Sequence, residues 1–319
     1  MSAARDVCPL VLFFVVFLDD TFATNAFGVG CTRTSLTTKL TNEKELFMTM
    51  PVNLVIVRHG ESIGNLAKRR SEQGDHSLLK RLRGTHTASW PLTRKGIDQA
   101  KKTGVFLNKL SNDQSMYFDK MYVSSYARAM QTAGNLELIR SNWVVDTRIT
   151  ERDWGELDRL TEEERQEKFG EAIKMRTVEP YFWTPPNGES FKKLNIYARD
   201  LIDSLHRVEV PNVIVVCHGE FMKALRFVFF QMTPMEYPEM EFSKDPLKRI
   251  HNCQVDHYTR RDPMTLKISH RLEHLTVYRP SEENDVVISK QYLPRKRYSS
   301  GELRQMAGKL SKDFADLDL

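Results

Sequence analysis

The sequence predicts an α/β protein, a three-layer α/β/α sandwich around a mostly parallel central sheet. Three observations carry that expectation. Unbroken apolar runs such as LVIV (54–57) and VIVV (213–216) have the composition of strands covered on both faces. Between such runs lie amphipathic stretches of helical period, the alternation expected of crossover connections. Two of the runs also end alike, on His59-Gly60-Glu61 and on His218-Gly219-Glu220, and sheets of this kind gather ligands at the carboxyl ends of their strands.

Taken in chain order, the first strand is 53–57, short and β-branched. Residues 66–86 form a polar, basic insertion that includes Lys68, Arg81 and Arg83, and so reads as a candidate substrate lid. A helix follows from the N-cap candidate Thr93, with Ile97, Ala100, Val105, Leu107 and Leu110 at roughly helical spacing. DKMYVSS (119–125) is a second strand, ARAMQTAGNLEL (127–138) the helix after it, and WVVDTRI (143–149) a third strand or extended segment. An acidic helical stretch, LTEEERQEKFG, precedes a Pro/Gly loop at 184–190. The amphipathic helix from Phe191, the strand 212–218 and the helix FMKALRFVFFQM complete the alternation, with 253–260 and 271–280 expected as edge strands. Trp154, Trp183 and Phe182 read as packing residues.

The chain divides into a leader (1–50), a folded domain (51–279) and a polar tail (280–319). The apolar run 9–18 is too short to span a bilayer but suits a signal-peptide core. No acidic residue occurs from Thr21 to Asn42, and ATNAFG resembles the bipartite plastid-targeting leaders of algae with secondary plastids. Plastid delivery is the expectation, with the secretory pathway, or a cytoplasmic protein starting near Met50, as alternatives. No stable membrane anchor is expected in the mature protein. Two of the four cysteines, Cys8 and Cys31, fall in the leader, which argues against a disulfide framework. The net charge of +5 favours anionic partners only slightly. Without an RNA-binding signature or a Cys/His zinc spacing, neither nucleic acid nor a zinc centre is expected.

A neutral imidazole at a strand end beside Arg58 is equipped to attack a phosphoryl group. The guanidinium recruits the anion and offsets charge in the transition state. Gly60 permits close backbone approach, and its N–H is a candidate pocket donor, as is the Asn65 side chain. Arg128, opening a helix after a strand, would add a second guanidinium. His218, followed by Gly219, would face His59. Glu151, at the end of the third strand, is the candidate general acid. Nearby cations would lower its pKa, and burial or a bound phosphate would raise it.

These residues stand in RHGESIGN, SSYARAMQTA, TERDWGE and VVCHGE, four motifs in the order of the histidine phosphatase superfamily, which includes the phosphoglycerate mutases. From about Val52 to Arg279 the chain resembles that superfamily. The resemblance implies that His59 is the phosphorylated nucleophile, that Arg58, Arg128 and His218 hold its phosphate with Asn65, Gly60 and Gly219 in the same pocket, and that Glu151 donates the proton. It implies no metal and no cofactor. Only 66 residues, 152–217, separate Glu151 from His218, short for the ordered lid of a mutase. The expected activity is therefore a phosphoric monoester hydrolase working through phosphohistidine on a small phosphorylated metabolite. The alternatives are a cofactor-dependent phosphoglycerate mutase, a phosphoprotein phosphatase and an inactive phospho-ligand-binding relative. Glu220 departs from the pattern, being acidic where many relatives are neutral.

Overall fold

A computed structural model describes residues 50–310 except 115, 246, 247, 283–286 and 294. The segment expected to be a leader lies outside the described residues apart from Met50. Met50 itself is buried and its carbonyl accepts from Arg260 Nη1 at 2.6 Å, so it packs with the folded domain. Among the described residues no helix is long and apolar enough to cross a membrane, and the cysteines Cys217 and Cys253 are free and buried.

One seven-stranded sheet organises the described residues. Its strands are β1 (Asn53–Arg58), β2 (Lys120–Val123), β3 (Trp143–Val145), β4 (Asn212–Cys217), β5 (Val255–Thr259), β6 (His274–Tyr278) and β7 (Val287–Tyr292), in the order β3-β2-β4-β1-β5-β6-β7. The four strands β3, β2, β4 and β1 are parallel, whereas β5, β6 and β7 continue the sheet antiparallel. The expected three-layer α/β/α arrangement is present. β5 and β6 are interior strands, not the edges expected from sequence: β1 still offers a free side to β5, and β7 covers β6. β7 lies in the segment read as a polar tail, so the sheet extends past the boundary drawn at 279. Its sequence, VISKQY, is only half apolar and largely exposed, which conceals it from a search for long apolar runs.

The two faces of the parallel strands bury two cores. Leu54, Ile56, Val213 and Val215 point into one, against α6 (Phe191–Leu205), α7 (Gly219–Phe229) and α8 (Tyr237–Glu241). Val55, Val57, Ile214 and Val216 point into the other, against α3 (Arg94–Asp113) and α4 (Ala127–Asn135). Alternate residues of one continuous apolar run thus serve opposite layers, which is why no polar alternation is seen in it. The expected Thr93 cap holds: its side chain accepts from the Gly96 N–H.

The basic insertion is not an open lid but two short helices, α1 (Ile63–Glu72) and α2 (Ser77–Leu82). Ser62 and Asn65 form a reciprocal capping box that starts α1. Ala67, Leu79, Leu82 and Trp90 give the pair a small core of their own. The acidic stretch forms α5 (Glu162–Val178), which has no buried residue. α9 (Ser300–Leu310) follows β7 and likewise buries nothing.

Helix α7, which follows His218, is tied to the sheet by a two-pronged ion pair. Arg226 Nε and Nη2 donate to Asp256 Oδ2 and Oδ1 at 2.7 and 2.8 Å, with Asp256 1% exposed. Removing one partner of such a pair strands the other charge out of water. Asp256→Ala is therefore expected to destabilise the fold by about 3–5 kcal/mol, lowering Tm by more than about 6 °C in thermal unfolding. An unchanged Tm would show that the pair contributes nothing.

Candidate active site

Strands β1 and β4 pair parallel with Arg58 opposite Cys217, so the residues that follow, His59 and His218, leave the sheet side by side. The ladder continues one step further, the His59 N–H donating to the Cys217 carbonyl at 2.9 Å. The two imidazoles meet edge to face with ring centroids 5.2 Å apart. Arg128 is the second residue of α4 and reaches the same point from the neighbouring β2–α4 turn. Both histidines and Arg128 are buried, although charged and polar groups at such depth require partners.

Those partners fix the state of His59. Its Nδ1 lies 2.7 Å from the Gly60 carbonyl, an acceptor only, so Nδ1 carries the proton. Arg128 Nε donates to Nε2 at 3.1 Å, which requires a lone pair there. Burial, then Arg128, then Arg58 push the imidazole pKa well below its usual value. His59 is thus a neutral ring with Nε2 as its basic nitrogen. His218 is likewise held well below the usual range by burial, with Arg128, His59 and Arg58 adding to it. Its Nε2 is 2.7 Å from Ser124 Oγ, and its buried Nδ1 has no hydrogen-bond partner.

Glu151 completes the group. Its Oε1 accepts from the backbone N–H of Arg152 and of Glu220, each at 3.2 Å, and Oε2 stands 3.9 Å from His218 Nδ1. Burial pushes its pKa up, Arg128 and Arg58 pull it down, and Glu220 pushes it up again, with a net rise. Burial lowers the pKa of Arg58 and of Arg128, and Glu151 opposes both shifts; guanidinium remains charged regardless. Donor atoms of His59, Glu151 and His218 lie within 4.8 Å of one another. Two guanidiniums already supply positive charge here and one donates to His59 Nε2. That environment suits an anion better than a metal ion.

The group opens into a cleft of about 740 Å³ whose wall includes Asn65, Lys68, Arg128, Trp154, Arg176 and Lys223. The structure therefore brings His59, His218, Glu151, Arg128 and Asn65 together. Arg58 adjoins them, its Nη1 donating to the Ile250 carbonyl at 2.6 Å while its buried Nε is unpartnered.

Other expectations are corrected. The Gly60 N–H is not a pocket donor, because it donates to Thr132 Oγ1 at 3.0 Å. Gly60 is needed for close packing instead: a Cβ there would stand 2.4 Å from the Gly96 carbonyl oxygen. Gly219 makes room for a cation, a Cβ there falling 3.3 Å from Arg58 Nε. Asn65 is not among these corrections: its Oδ1 accepts from the Ser62 N–H and from Asn252 Nδ2, which also donates to the His59 carbonyl, and these bonds use its acceptor and not its Nδ2 donor. Arg81 and Arg83 do not line the cleft. Arg83 is spent on Glu164 and the Arg159 carbonyl, and Arg81 is exposed.

Several wall residues carry no readable signal in the sequence. Trp154 is no mere packing residue, since the guanidinium carbons of Arg152 and Arg176 lie over its ring at 4.5 and 4.9 Å beside the cleft. Asp158 also lines the cleft, its carboxyl pushed up to about 6 by burial and then by Asp153. Both stand in a polar segment without periodicity, so only folding reveals which way they face.

The family model of the histidine phosphatase superfamily (branch 1) matches residues 54–256, and the chain belongs to that superfamily. The site just described carries its typical His-centred machinery. Among curated relatives, the chain is 30% identical over 190 residues to the 2,3-bisphosphoglycerate-dependent phosphoglycerate mutase of Afipia carboxidovorans, covering 57% of this chain and 82% of that one. It is 27% identical over 245 residues to the rat 6-phosphofructo-2-kinase/fructose-2,6-bisphosphatase 4, covering 75% of this chain and 46% of the relative. A solved putative alpha-ribazole-5'-P phosphatase from Escherichia coli superposes with a TM-score of 0.52 at 19% identity, over 70% of this chain and 98% of that one, a likeness of fold.

Buried neutral imidazoles couple stability to pH. His59 and His218 have strongly lowered pKa values, and that of His257 is pushed down to about 4 by burial. Between the unfolded value near 6.5 and these folded values, the unfolded chain binds more protons, so stability falls as pH falls through that window. The raised Glu151 opposes the trend as a single group. Urea unfolding at pH 7.5, 6 and 5 is expected to show a decline in stability, shallower in His257→Asn. A flat profile in the wild type would contradict the neutral assignment.

Proposed function

We propose that the chain is a phosphoric monoester hydrolase that works through a phosphohistidine on a small phosphorylated metabolite. The observation that carries this reading is the fixed tautomer of His59, with its proton on Nδ1 toward Gly60 and its Nε2 lone pair facing the cleft beside Arg128. The mutase and the bisphosphatase among its relatives support a phosphorylated metabolite as substrate.

In the first step the substrate phosphate lies against Arg58 and Arg128, and the Arg128 N–H that rests on Nε2 turns to a phosphate oxygen. Nε2 attacks phosphorus as the bond to the alcohol oxygen breaks, and Glu151, whose pKa burial raises, gives its proton to the departing oxygen. The phosphorylated ring retains its Nδ1 proton, and the Gly60 carbonyl steadies the positive charge that develops on it. His218, neutral and buried, holds a phosphate oxygen from the opposite side. In the second step water attacks phosphorus, its proton passes to the Glu151 carboxylate, and the P–N bond returns its electrons to Nε2. Atoms and protons balance, and the enzyme is regenerated.

The mutase reading has the similarity to the Afipia mutase in its favour. The cleft favours hydrolysis, since α5, which contributes Glu162, Arg165, Ile173 and Arg176 to its wall, buries no residue of its own and so is not a tightly packed cover.

Incubation with a ³²P-labelled phosphate ester followed by an alkaline quench is expected to leave label on His59 and none in His59→Ala. Absence of label in the wild type would overturn the covalent route. Inorganic phosphate is expected as the main product. Transfer of the phosphoryl group to an added phosphoglycerate, with little phosphate released, would favour the mutase.

A further inference from the structure

Glu220 takes no part in these steps, yet it touches the group that does. It is the second residue of α7, and its backbone N–H donates to Glu151 Oε1 at 3.2 Å. Its own carboxylate is held by two cations: Lys223 Nζ is 2.7 Å from Oε1, and Arg152 Nη1 is 3.8 Å from Oε2. Oε2 is shielded from solvent and accepts no hydrogen bond. Lys223 is shared with Glu241 of α8 at 3.0 Å, and Glu241 in turn pairs with Arg176 of α5 and accepts from the Tyr237 hydroxyl at 3.1 Å. Glu220 is thus an anion fixed by a network that reaches across the cleft wall, well beyond the needs of one helix start.

We propose that Glu220 is a positioning residue for Glu151, a fixed carboxylate whose charge keeps the neighbouring carboxyl in its proton-donating form. The inference rests on the general-acid reading of Glu151. Facing Glu151 are Arg58 and His59 from β1 and its end, Tyr126 and Arg128 from the start of α4, Cys217 and His218 from the end of β4, and Glu220 from α7. The cations favour the ionised form. A phosphate dianion seated on Arg58 and Arg128 offsets much of their pull, and Glu220 then acts together with burial. Even without that phosphate, Glu220 and burial both act against the pull of Arg128 and Arg58. The network also keeps Glu220 from relaxing away: Lys223 lies one helical turn on, and Arg152 directly follows Glu151 in the chain.

The test is kcat/KM against pH on two esters, an alkyl phosphate whose alcohol must be protonated to leave and p-nitrophenyl phosphate whose phenolate leaves unaided. In Glu220→Gln the backbone donor to Glu151 is retained and only the charge is lost. Its alkaline limb on the alkyl ester is expected to move down by roughly one pH unit, so that above that limb the alkyl ester loses roughly tenfold more activity than the aryl ester. Glu220→Asp, which keeps the charge, is expected to restore most of the limb. An unmoved limb in a folded Glu220→Gln, or equal losses on both esters, would overturn the proposal. Should that variant fail to fold, Glu220→Ala gives the same reading with no amide set against Lys223 and Arg152. Glu151→Gln separates the two layers of inference. If the limb survives there, Glu151 is not the acid and the underlying reading falls. If it vanishes there but stays put in Glu220→Gln, only the role of Glu220 falls.

Discussion

The site depends on one pairing, the parallel register that sets Arg58 of β1 opposite Cys217 of β4. Because the two central strands end level, the first residue beyond each is a histidine at the same height. The backbone bond from His59 to Cys217 locks that level. A slip of one residue would turn every side chain of β1 to the opposite core and carry His59 away from its partner. The apolar alternation that fills two cores and the placement of two imidazoles 5.2 Å apart are therefore consequences of a single register.

Burial at that point does chemical work. Removing water pushes imidazoles toward neutrality and a carboxyl toward its protonated form, and the site contains both kinds of group. A base whose pKa is lowered and an acid whose pKa is raised, side by side, are the separated pair that nucleophilic attack and leaving-group protonation require. The two guanidiniums reinforce the first effect and oppose the second. This opposition is what the proposed role of the second carboxylate, Glu220, addresses: it adds to burial against the cations that bind the substrate.

How much of this the sequence discloses follows from the range of each signal. Strand ends, the Thr93 cap and the His-Gly-Glu pair are local and legible, and they locate His59, His218, Arg128 and Glu151 before any folding is considered. What stays hidden is set by contacts between distant segments. The Gly60 N–H looks free until Thr132 is brought to it, and nothing local shows that Asn252 will donate to the Asn65 oxygen. Arg83 sits in a basic run, yet Glu164, far along the chain, takes its charge. β7 has no long apolar run because both its faces are largely exposed, so only its ladder with β6 shows it to be a strand.

The central claim is that His59 is a neutral imidazole protonated at Nδ1, with an unprotonated Nε2 whose lone pair accepts from Arg128. Two-bond ¹H–¹⁵N correlation spectra of histidine-labelled protein, assigned with His59→Asn, report that state directly. The expected result at pH 6 is a pyrrole-type Nδ1 and a pyridine-type Nε2. An imidazolium pattern, or the opposite tautomer with its proton on Nε2, would contradict the account.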